Sequence, residues 1–280
     1  MRQTPADQHG YDLLDAGDGR RLERFGARLV DRPAPSAVWP PRLTATDWAA
    51  ADLRFERGAG WDGADRTPWT VELDGLTIEL RPTDSGQVGL FPEHAGFWPW
   101  LRAALAGRPD PQVLNLFGST GVTTLALASA GARVTHVDAS RPAVAWARHN
   151  AALSNLADAP VRWIVDDALL FARREARRGR RYDGIVLDPP TFGHGPSGSR
   201  WELADALPAL LDACAAVATD DAFVLLTAHA TGLDPEDLGD VLVDAFQPGP
   251  GADLVADRIE PVARSGAVLP LGVAARMIRG

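Results

Sequence analysis

The chain has 280 residues, 46% hydrophobic and 23% charged, with a formal net charge of −9. That is enough apolar content for a sizeable core, and too acidic for a protein that coats nucleic acid through its phosphates. The lone cysteine, Cys214, excludes an internal disulfide and speaks against a cysteine-based metal site, which suits a reducing cytoplasm. The first residues lack the apolar core of a signal peptide, and no run reaches the roughly 18 apolar residues of a membrane span. Neither a membrane partner nor a metal is expected.

Residues 1–10 read as a frayed start. From Tyr11 to about Glu93 the texture is β-like. Asp18-Gly19 marks one hairpin. Asp74-Gly75, flanked by the alternating runs Trp69–Leu73 and Leu76–Leu80, marks another. The proline-rich stretch 32–41 reads as a loop. Residues 1–93 are therefore assigned to a small β-rich N-terminal module, and 94–280 to the main domain. A helix is predicted over 96–105. Strands and helices then alternate: strand 113–117, helix 121–130, strand 133–138, helix 141–152, strand 161–165, helix 167–178 and strand 183–187. After a loop at 188–201 come helix 203–218, strand 222–228 and helix 235–245. Two strands near 254–261 and 271–278 close the chain as a pair. Such alternation predicts a doubly wound α/β fold, a parallel Rossmann-like sheet with helices on both faces and one antiparallel strand at the closing edge.

The stretch Val113–Asp138 reads strand, glycine turn, helix, strand, acid. Gly118 and Gly121 let the backbone approach a ligand, and the following helix points its positive end there. The pattern lacks the spacing of the dinucleotide fingerprint, so pyrophosphate binding is not expected. Asp138, at the end of the second strand, suits the hydroxyls of a ribose; its bland alternative is a helix cap, with Ser140 competing. Asp166 and Asp167 open the next helix, where acids are favoured by the dipole alone, or else they read an adenine amino group. Asp188-Pro189-Pro190-Thr191-Phe192 follows a buried strand directly. Its prolines stiffen the loop and leave carbonyl acceptors beside a carboxylate, and Phe192 offers a face for a flat group. The loop 191–201 reads as a lid, with His194 a candidate base and His229, after the fifth strand, its equal. The arginine cluster 173–181 precedes a strand, hence lies at the amino end of the sheet, away from ligands, and reads chiefly as a solvated helix end.

Taken together, Asn115-Leu116-Phe117-Gly118-Ser119-Thr120-Gly121, Asp138-Ala139-Ser140, Asp166-Asp167 and Asp188-Pro189-Pro190-Thr191-Phe192-Gly193 occur in an order and spacing that resembles class I S-adenosylmethionine-dependent methyltransferases. Within them the chain looks like the branch containing the large-subunit ribosomal RNA cytosine methyltransferases, over about residues 85–280. The resemblance implies a seven-stranded methyltransferase sheet and S-adenosyl-L-methionine as cofactor. It implies that Phe91 lies in a lead-in over the cofactor, and that Asn115, Phe117, Gly118, Ser119, Thr120 and Gly121 hold the methionine end. Asp138 and Ala139 would meet the ribose, and Asp166, Asp167 and Ala168 the adenine. Asp188 would lie near the transferred methyl, with Pro189, Pro190 and Phe192 beside it as further catalytic candidates.

One departure matters. Methylating a cytosine carbon needs a cysteine thiolate to add to the ring, and in that branch it follows the fifth strand. Here that segment reads Phe223-Val224-Leu225-Leu226-Thr227-Ala228-His229-Ala230, and Cys214 falls inside the preceding helix, where a small core residue is expected. The expectation is thus direct in-line transfer to a nitrogen or oxygen, with an RNA base as acceptor and Asp188 and the Pro189 carbonyl orienting an amino hydrogen. A small-molecule methyltransferase and a non-catalytic S-adenosylmethionine-binding protein are the alternatives.

Overall fold

The computed structural model describes residues 10–194, 200–230 and 232–280. Most of the frayed start, the lid's 195–199 segment and the side chain of His194 therefore lie outside the described residues. The chain divides into two compact units: Met1–Gly96 with Ile259–Leu271, and Phe97–Arg258 with Gly272–Gly280.

The first unit is built on a five-stranded sheet in the order β1 (Tyr11–Gly17), β2 (Arg20–Phe25), β3 (Arg28–Pro33), β4 (Leu53–Glu56) and β5 (Gly60–Asp62), with a short helix α1 (Ala45–Ala49) between β3 and β4. Asp18 and Gly19 take positive φ of 49° and 73°, the geometry a two-residue hairpin needs. β3 and β4 pair in parallel, an irregularity that local alternation does not announce. β6 (Trp69–Leu73) and β7 (Leu76–Leu80) form the second predicted hairpin as a separate ribbon, again with positive φ at Asp74 and Gly75. This unit buries charge. Burial pushes the Glu23 carboxyl up, but Arg21 and Arg32 outweigh that and hold it below its usual range; Arg32 Nε and Nη2 donate to its two oxygens at 2.5 and 3.0 Å. Ala263, Ala267 and Leu269, far along the chain, pack with Leu13, Ala16, Ala34 and Ala37 in one apolar cluster.

The second unit carries β8 (Gln112–Leu116), β9 (Arg133–Asp138), β10 (Val161–Val165), β11 (Tyr182–Leu187), β12 (Phe192–His194), β13 (Arg200–Glu202), β14 (Ala218–Ala228), β15 (Asp253–Ile259) and β16 (Gly272–Ile278). Its helices are α2 (Trp98–Leu105), α3 (Val122–Ser129), α4 (Arg141–Leu153), α5 (Ala168–Arg177), α6 (Leu203–Ala215) and α7 (Pro235–Phe246). Seven strands form the predicted sheet in the order β10-β9-β8-β11-β14-β16-β15. The pairs from β10 to β14 are parallel, and β14 pairs antiparallel with β16. The antiparallel strand therefore sits one place in from the edge, not at it, because β15 takes the edge. α2, α3 and α4 pack as one row, and α5, α6 and α7 as another. The loop predicted over 188–201 contains a short hairpin, β12 with β13.

The strand order reverses between β8 and β11. Ligands of open α/β sheets bind outside the carboxyl ends of two strands whose crossovers run to opposite faces. Leu116 and Leu187, the last residues of those strands, are register partners. The glycine turn and the Asp-Pro-Pro loop therefore leave the sheet side by side.

Candidate active site

The turn after β8 is bent by three residues with positive φ: Phe117 at 57°, Ser119 at 49° and Gly121 at 84°. The glycines answer to packing inside the protein. A Cβ on Gly118 would stand 2.4 Å from His136 Nδ1, and one on Gly121 would stand 2.7 Å from Ala147 Cβ. So Gly118 is required at least because the turn lies on the His136 ring, a cause its sequence context does not reveal.

Beneath the turn runs a buried polar chain. Asn115 Nδ2 donates to Thr124 Oγ1 at 2.7 Å, and Thr124 Oγ1 stands 2.9 Å from His136 Nδ1. The Thr124 hydroxyl, with one hydrogen and two lone pairs, thus joins Asn115 to the His136 ring, whose neutral form serves this chain in either tautomer. Burial alone agrees, lowering the His136 pKa to about 3. Asn150, fully buried, donates to the Thr120 carbonyl at 3.0 Å and ties the same turn to α4. Of these residues, sequence reasoning named Asn115 and Thr120. Thr124, His136 and Asn150 were missed; the only available signal was a histidine within the apolar strand β9.

Asp138 ends β9 facing this turn. Its Oδ2 accepts from the Ser119 N–H and its Oδ1 from the Ser140 N–H, both at 2.8 Å. Burial pushes its carboxyl up, against the pull of those two donors. Ser140 is the helix cap of α4, its side chain accepting from the Ala143 N–H, so the capping alternative for Asp138 is not needed. Ala139 lies between them, half-buried.

Asp166 and Asp167 divide their tasks. Asp167 caps α5 by accepting from the Leu170 N–H at 2.9 Å. Asp166 lies beside Asp138, its N–H donating to the Asp138 carbonyl at 3.0 Å, and its carboxylate pairs with Arg174. Helical side chains lean toward the helix N-terminus, which lets Arg174 run back over Phe171 to reach it. One arginine of the cluster thus points to the ligand end. Others are engaged elsewhere: Arg178 with Glu175, and Arg181 with the carbonyls of Ala216 and Ala218. Ala168 opens α5, buried.

Asp188 follows β11. Thr227 Oγ1 donates to its Oδ1 at 2.6 Å, and His229 Nε2 lies 3.2 Å from the same oxygen. Thr227 and His229 are two positions apart at the end of β14, hence on one side of the strand beside β11. The Pro190 carbonyl accepts from Trp201 Nε1 at 2.7 Å, and the Trp201 ring lies 5.3 Å from that of Phe117. That carbonyl holds the hairpin of β12 and β13 against the glycine turn. Phe192, on the hairpin, is 64% exposed. Cys214 is fully buried, and burial pushes its thiol up to about 12, as a core residue requires. Phe91 belongs to the first unit, where its ring stacks on His94 at 6.0 Å.

Residues 94–196 match the family model described as Conserved hypothetical protein 95. A solved structure, the SAM dependent methyltransferase from Agrobacterium tumefaciens, is 34% identical, with a TM-score of 0.92 over 100% of this chain and 94% of that one. Ribosomal RNA large subunit methyltransferase I from Pseudoalteromonas translucida is 31% identical over 64% of this chain and 45% of its own length. Ribosomal RNA large subunit methyltransferase K/L from a Shewanella species is 36% identical over 43% and 17% respectively. The chain thus spans less than half the length of these two curated relatives.

Proposed function

Since the chain belongs to the class I S-adenosylmethionine-dependent methyltransferases, we propose that it moves the methyl group of that cofactor to a nitrogen or oxygen of an RNA base, in ribosomal RNA. The observation that carries this is the placement of two acids at the carboxyl ends of β9 and β11, on either side of the glycine turn after β8. Asp138 is fixed by the turn it faces, and Asp188 follows β11, on the other side of β8, with two groups on its Oδ1. In this reading Asn115, Phe117, Gly118, Ser119, Thr120 and Gly121 shape the methionine end, and Asp138 and Ala139 take the ribose. Asp166, Asp167 and Ala168 border the adenine. Asp188, Pro189 and Pro190 orient the nucleophile, and Phe192 offers its exposed ring to a base.

The sulfonium loses its charge as the methyl leaves, so positioning is what the protein supplies. No covalent adduct is required. The buried Cys214 thiol has the opposite properties to a nucleophile. RNA as acceptor is supported by the curated relatives' names and by a stacking face on the lid hairpin. The N-terminal module, 1–93, is the part of the chain proposed to contribute to substrate choice, in a cytoplasmic enzyme. Among the described residues no helix is long and apolar enough to cross a membrane.

A small metabolite as acceptor is favoured by one observation. The chain is acidic, and Arg174, Arg178 and Arg181 are already engaged by protein acceptors, which weakens a phosphate-binding surface there. Incubating the enzyme and labelled cofactor with RNA from a strain lacking the gene, and in parallel with deproteinised extract of that strain, separates the two. Label in RNA supports the proposal; label only in the small-molecule fraction replaces it.

A further inference from the structure

Thr227 and His229 both meet the Asp188 carboxylate, and the role given to Asp188 above does not use both of them. Thr227 satisfies Oδ1 with a hydroxyl hydrogen at 2.6 Å. That suffices to orient a carboxylate. His229 Nε2 nevertheless lies 3.2 Å from the same atom, on the next residue of that strand side. It is 27% exposed, so it is neither a sealed core histidine nor a fully solvated one. A carboxylate against an imidazole is an arrangement that receives a proton and keeps the resulting charge paired.

We propose that Asp188 and His229 act as one proton-accepting pair, and that the methyl acceptor is therefore an atom that carries a hydrogen: an amino group, a ring N–H or a hydroxyl. This rests on the methyltransferase reading and narrows its substrate class. The nucleophile's lone pair forms a bond to the methyl carbon. The carbon–sulfur bond breaks, and its electron pair stays on sulfur, giving neutral S-adenosylhomocysteine. The methylated atom is then cationic and acidic. Its N–H or O–H electrons return to it, and the proton passes to Asp188 and on to the His229 imidazole, then to water. A ring nitrogen with no hydrogen would keep its positive charge and have no use for the pair.

The test compares wild type, His229→Gly and His229→Gln on RNA from a strain lacking the gene and on its deproteinised extract. Binding of S-adenosylhomocysteine by calorimetry serves as the check on folding. For His229→Gly the expected result is a fall in kcat on the order of a hundredfold, with KM for the cofactor changed by less than about threefold. Added imidazole is expected to restore part of that kcat, because the vacated position is partly exposed. His229→Gln is expected to fall equally and gain nothing from imidazole. Product analysis is expected to place the methyl on an atom that bore a hydrogen. Retained kcat in His229→Gly, a loss that imidazole does not relieve, or a cationic methylated ring nitrogen overturns the pair. Wild type without transfer to either substrate overturns the parent reading, and this one with it.

Discussion

Asp138 Oδ2 accepts a hydrogen bond from the backbone N–H of Ser119 at 2.8 Å, which, with the Gly118 N–H donating to the Val137 carbonyl, fixes the end of β9 and the turn after β8 to each other. The residue that would hold the ribose also sets the shape of the loop that would hold the methionine end. Substitution at Asp138 should therefore fail in both respects. Asp138→Ala removes two N–H acceptors, each bond to a charged group worth about 1.5–3 kcal/mol. Calorimetry should show S-adenosylhomocysteine bound at least about tenfold more weakly. Unchanged affinity would remove Asp138 from the cofactor site.

Gly118 makes a prediction about packing. Gly118→Ala puts a methyl 2.4 Å from the His136 ring and should cost about 1–3 kcal/mol in denaturant unfolding. In Gly118→Ala with His136→Ala the methyl has room, so the two costs should be less than additive. Strict additivity would mean that the turn moves away from the ring instead of pressing on it.

The buried His136 gives a stability slope in acid. Burial lowers its pKa from an ordinary 6.5 to about 3 in the folded protein. Below pH 6.5 the unfolded chain binds a proton that the folded chain refuses until about pH 3. The contribution is therefore fully present above pH 6.5 and lost as pH falls toward 3, at up to about 1.4 kcal/mol per pH unit. Replacing it by glutamine should flatten the stability profile in that window. An unchanged slope would show that the ring ionises without resistance.

Cys214 is expected to be chemically silent. Its thiol, pushed up to about 12 and fully buried, should resist alkylation at pH 8 until the protein unfolds. Cys214→Ala should keep kcat within about twofold while lowering stability by roughly 1 kcal/mol. Loss of turnover in a folded Cys214→Ala protein would reopen a covalent mechanism.

Much of the fold is visible in local sequence because its rules are local. Asp18-Gly19 and Asp74-Gly75 announce their hairpins by residues that accept positive φ. Arg133–Asp138 can be bounded by its β-branched run and the acid that ends it. What local pattern does not carry is distance along the chain. The packing of Ala263, Ala267 and Leu269 with Leu13 and Ala16 depends on neighbours some 250 positions away, and no periodicity encodes that. The same holds within the site. Glycines in the turn after β8 suggest backbone exposed to a ligand, but the structure places His136 and Ala147 against them. The Pro190 carbonyl, an acceptor on paper, is taken by Trp201. Arg174 escapes the helix-end expectation because its side chain runs back two turns to Asp166. Thr227 is not distinguishable in the sequence, because a threonine in an apolar strand has nothing in its own neighbourhood to mark it.

The central claim is methyl transfer from S-adenosylmethionine to nitrogen or oxygen, with Asp188 at the reacting atom. Its most direct measurement is mass spectrometry of RNA from the gene-lacking strain after incubation with labelled cofactor and either wild type or Asp188→Asn. The expected result is one labelled methyl per site on a nitrogen or oxygen of a base, placed by wild type, with the variant at least about a hundredfold slower. Label on a base carbon, or equal labelling by Asp188→Asn, would contradict it.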